Sequence, residues 1–96
     1  MLTKFADSEG RSRLALDGKA ERCANSLREA RRLIAMRSYG ALLNQLLART
    51  FDLFDEIDEL LLGLHPTNDH EAFARVAALH RQFEEIQSLI PRIHRN

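Results

Sequence analysis

Apolar and polar positions fall into three helical stretches. Leu16, Ala20, Cys23, Leu27, Ala30 and Ile34 step alternately by four and three, which holds all six on one stripe of a helix. Half of these residues are small, so a neighbouring helix can approach closely. A second stretch runs from about Ala41 to Leu64. Its apolar residues, among them Leu42, Leu53, Phe54, Ile57, Leu60 and Leu61, cover about half a helical cylinder, with Phe51 at the other edge of that arc. Opposite lies an acidic stripe of Asp52, Asp55, Glu56 and Glu59. In the third stretch Ala72, Val76, Leu79, Phe83, Ile86, Ile90 and Ile93 keep the same stepping, and Pro91 forces a kink or an end near Leu89.

Helical phase separates the first two stretches. Carried across Ser38, Tyr39 and Gly40 at 100° per residue, the second apolar stripe lies about 180° from the first. One straight helix would then bury opposite faces at its two ends. A turn at 38–40 is expected instead, with Gly40 as the permissive position and Ser38 as an N-cap. The hairpin this creates is antiparallel. Gly63, Pro66, Thr67, Asn68 and Asp69 mark the next loop, and Asn68 and Glu71 have capping-box spacing.

The predicted fold is therefore all-α: a three-helix bundle, an antiparallel hairpin plus a third helix, with helices at about 13–37, 41–63 and 69–90 forming a single domain over 13–96. Residues 1–12 show no sustained period and read as a flexible N-terminal arm. Ninety-six residues bury a marginal core, and the second stretch needs more than one neighbour: it is either the central helix between the other two or an interface for a second copy or a partner helix. Completion of the bundle by homodimerisation follows as an expectation.

Composition narrows the chemistry. The chain is 45% apolar and 29% charged, with 14 basic and 14 acidic side chains, which excludes a disordered tract and a broadly basic nucleic-acid binder. That neutrality hides an asymmetry. Residues 1–50 carry 10 basic and 5 acidic side chains, and residues 51–96 carry 4 and 9. A hairpin would set Lys19 and Arg22 level with Glu56 and Glu59 and satisfy part of this split internally. No apolar run is long enough to span a bilayer, and a single cysteine, Cys23, fits a cytoplasmic protein without internal disulfides.

No catalytic constellation emerges. Cys23 lies on the small-residue seam, where a thiol is ordinarily inert. His80 and Glu84 stand one turn apart, and His65, Asp69 and His70 cluster near the second loop, but neither set supplies a matched group of metal ligands. No enzyme activity, cofactor or metal is expected. The expected function is that of a small helical protein-binding module of the adaptor, co-chaperone or anti-activator type. Its partner or dimer interface would be Leu53, Phe54, Ile57, Leu60 and Leu61, with charged docking by Arg28, Arg31, Arg32, Asp52, Asp55, Glu56 and Glu59. The alternative is a small nucleic-acid-binding regulator that uses the basic cluster Arg28, Arg31 and Arg32.

Overall fold

The computed structural model describes residues 2–64 and 69–90, with side chains from residue 13 onward. Three helices make up the described chain: α1 (Leu2–Ala35), α2 (Ala41–Leu61) and α3 (His70–Leu89), with no strand among the described residues. They form an all-α bundle in which α1 contacts both partners extensively while α2 and α3 touch each other least.

Ion pairs report how the helices run. Lys19 donates to Glu56 across α1 and α2, which are antiparallel. Arg13 meets Asp69, Asp17 meets Arg75, and Arg31 meets Glu85, so α3 runs parallel to α1 in steady register. The core between them contains Leu16, Ala20, Cys23, Leu27 and Ala30 of α1, Leu43, Phe54 and Ile57 of α2, and Val76, Leu79, Phe83 and Ile86 of α3. Thr50 is buried among them and donates its hydroxyl to the Leu46 carbonyl at 2.7 Å, so no polar group is stranded.

The helix bounds differ from the sequence reading in instructive ways. The expected start near residue 13 is replaced by Leu2, so the stretch read as an arm is helical backbone. Leu2, Ala6, Glu9 and Arg11 are good helix formers, and Gly10 costs about 1 kcal/mol relative to Ala without stopping propagation. A missing apolar period is not a missing helix.

The first turn also uses a different residue from the one expected. Arg37, with φ of 58°, takes the left-handed conformation, whereas Gly40 has φ of −87°. Arg37 N–H donates to Ile34 O at 2.9 Å and Ser38 N–H to Leu33 O at 2.8 Å. This pair of bonds is a Schellman motif, which satisfies the carbonyls left open at the end of α1. Gly40, not Ser38, is the N-cap of α2 and provides no side-chain cap. Asp69 precedes α3, while the Asn68 half of the expected capping box lies outside the described residues. At the other end Ile90 turns extended (φ −75°, ψ 126°), as the residue before a proline prefers.

Candidate functional site

The apolar arc of α2 is where an interface was expected, and most of it is used within the chain. Leu53, Phe54 and Ile57 are buried, Ile57 completely, and Leu60 and Leu61 are half-buried against the same core. These five residues are therefore core in the single chain. Covering half a cylinder required two neighbours, and α1 and α3 supply both.

What α2 leaves outside is a different set. Phe51 is 56% and Leu62 85% exposed, and Leu42 is exposed near the first turn. Phe51, Asp55, Asp58 and Leu62 stand at i, i+4, i+7 and i+11, so the two exposed apolar residues share one outward stripe with carboxylates. The sequence carried a signal for this. Phe51 lies at the far edge of the apolar arc, next to the acidic stripe, where burial against one neighbour excludes it from the other.

The acidic residues divide into engaged and open groups. Glu56 accepts from Lys19, whose charge and hydrogen bond hold its carboxyl below the usual range. Asp58 lies 3.4 Å from His80 Nε2. Asp52, Asp55 and Glu59 are exposed and have no ion pair among the described residues. Asp52 borders a groove of about 490 Å³ between α1 and α2, lined also by Arg22, Ser26, Arg49, Leu53 and Glu56.

The basic cluster is dispersed by its contacts. Arg28 donates to Asn25 on its own helix, Arg31 lies 3.3 Å from Glu85 across to α3, and Arg32 lies 3.7 Å from Glu29 one turn back. Two of the three thus face carboxylates, while Arg28, whose partner is neutral, shares a groove between α1 and α3 with Arg31.

His80 does not pair with Glu84. Its ring stacks on Phe54 at 4.1 Å between centroids and its Nε2 faces Asp58, which makes it a polar link between α2 and α3. Cys23 is completely buried, and burial pushes its thiol up to about 11, the opposite of what a nucleophile needs. Of the loop residues considered as ligands, His65 lies outside the described residues, Asp69 faces Arg13, and His70 is exposed. Among the described residues no three His, Cys, Asp or Glu side chains gather where they could hold a metal ion. No described helix is long and apolar enough to cross a membrane.

No known protein family, curated protein or solved structure matches this chain.

Proposed function

We propose that the protein is a non-enzymatic, cytoplasmic, self-associating helical module that binds a protein partner, in the manner of an adaptor, co-chaperone or anti-activator. The docking face is the outward stripe of α2. The observation that carries this reading is the company kept by Phe51 and Leu62: two exposed apolar side chains set among Asp52, Asp55 and Glu59, none of which makes an ion pair among the described residues. Such a stripe favours a helix with apolar residues along one edge and Lys or Arg beside them, because apolar burial supplies affinity while opposite charge steers encounter and register.

The test uses two labelled helical peptides, one a Leu/Lys amphipath and the other a Leu/Glu amphipath. The full chain is expected to bind the basic peptide, with affinity falling as salt rises, and Phe51→Ser with Leu62→Ser is expected to weaken binding by roughly tenfold or more. Equal binding of both peptides, or no change in the double variant, overturns the reading. The nucleic-acid alternative has less support, because Arg31 is held by Glu85 and Arg28 and Arg32 pair along their own helix.

A further inference from the structure

The stripe of α2 that carries Phe51 and Leu62 runs along the seam with α3, and His80 of α3 reaches it. Asp58 lies two turns on from Phe51 and one turn before Leu62. His80 Nε2 stands 3.4 Å from Asp58 Oδ1. The side chains of His80 and Asp58 are 42% and 54% exposed, so a helix laid on the stripe would meet both.

The imidazole is aimed. Its ring lies on Phe54 with 4.1 Å between centroids and 22° between planes, and Phe54 is itself buried. A ring held flat on a core residue turns little, which keeps Nε2 toward α2 rather than toward Glu84 one turn along α3. The charged groups on this side are Asp58 and, one turn back along the stripe, Asp55 on α2, with Glu84 and the exposed Arg81 on α3. The α1 side of α3 faces elsewhere, with Leu79 and Gln82 beside Arg28 and Arg31.

We propose that His80 is a proton gate on the α2 docking face, leaving it open to a basic helix when neutral and closing it when charged. This rests on the docking face proposed above and assigns its regulation. At 3.4 Å a neutral imidazole makes a long, weak hydrogen bond, which leaves Asp58 able to receive a Lys or Arg of the partner. In the tautomer with its hydrogen on Nε2, the ring gains the second proton on Nδ1 and becomes a cation facing the same carboxylate. A charge-assisted bond is about twice as strong as a neutral one, so Asp58 is then engaged within the chain. The new positive charge also repels the Lys or Arg that would dock beside it, and both effects act in one direction. Imidazole ordinarily changes charge between about pH 5 and 8, a range over which carboxylates and Lys ordinarily keep theirs. The face stays acidic while the gate moves.

Binding of the labelled Leu/Lys helical peptide to the full chain at about pH 7.5 and about pH 5.5 reads the gate. Affinity is expected to fall by roughly fivefold at the lower pH. In His80→Gln the two affinities should be equal, and in His80→Lys the affinity should be low at both. The native chain supplies a check that needs no substitution. Because linkage is reciprocal, saturating peptide should make His80 protonate at lower pH, which NMR of the imidazole ring follows. Absence of binding at the higher pH overturns the docking face and the gate together. Equal binding at both pH values, a pH dependence that survives in His80→Gln, or a His80 titration unmoved by the peptide overturns the gate and leaves the docking face standing.

Discussion

Arg13 Nε lies 3.2 Å from Asp69 Oδ1, tying α1 to the residue that opens α3. Asp69 is largely buried and Arg13 about half-exposed, so solvent screens one side of the pair only. The carboxylate also stands at the N-terminal end of α3, where the helix dipole favours negative charge. Arg13→Ala is expected to destabilise by about 1 kcal/mol, the range for a partly screened pair, and Asp69→Ala by about 1–2 kcal/mol because it also removes negative charge from the start of α3. Chemical denaturation at low and high salt checks both, with the Arg13→Ala loss shrinking as salt rises.

Glycine and arginine occupy each other's preferred positions in α1 and the turn that follows it. Gly18 lies within the helix, and a Cβ built there meets nothing within 4 Å. Arg37 holds the left-handed turn conformation in which a side chain is strained. Gly18→Ala is expected to stabilise by about 1 kcal/mol and Arg37→Gly by about 0.5 kcal/mol, the latter reduced by glycine's greater freedom when unfolded. In a chain this size 1 kcal/mol raises Tm by roughly 4–8 °C. A lower Tm for Arg37→Gly would contradict the Schellman turn.

Core and surface of α2 should separate cleanly under mutation. Ile57 is fully buried, and Ile57→Ala is expected to cost about 2–5 kcal/mol from lost transfer free energy and a cavity. Phe51→Ser and Leu62→Ser, on the outward stripe, should change stability by about 0.5 kcal/mol or less. Thermal unfolding distinguishes the two classes, and a large loss at Phe51 would show that it is packed rather than presented.

Stability should fall at both ends of the pH range for identifiable reasons. The Cys23 thiol is held neutral to about 11, above its ordinary 9.0, so the unfolded chain loses this proton first. Its stabilising effect is complete below 9 and declines as pH rises from 9 to 11, by about 3 kcal/mol in all. Cys23→Ala should flatten that decline, and the native thiol should resist alkylation until the chain unfolds. At the acid end Glu56, lowered by Lys19, contributes above the ordinary carboxylate range and loses its contribution as pH falls through and below that range. Lys19→Met should weaken that acid dependence.

Local periodicity determined a great deal here. The three apolar stripes, the reversal of phase at Ser38–Gly40 and the stop imposed by Pro91 are properties of neighbouring residues, because a helix repeats every 3.6 residues whatever surrounds it. That Lys19 and Arg22 stand level with Glu56 and Glu59 was legible for the same reason, since a hairpin turn fixes which residues lie level; packing selected Lys19 with Glu56.

Other features depend on residues distant in the chain. Phe54 in the α2 arc is core because α3 returns alongside α1 and sets His80 and Phe83 against its ring, while Phe51 and Leu62 stay outside. His80 turns to Phe54 and Asp58 rather than Glu84 because stacking on a ring of α2 outweighs a solvent-exposed pair one turn away. In each case the residue types permitted several arrangements of similar local energy, and burial against a remote helix selected one.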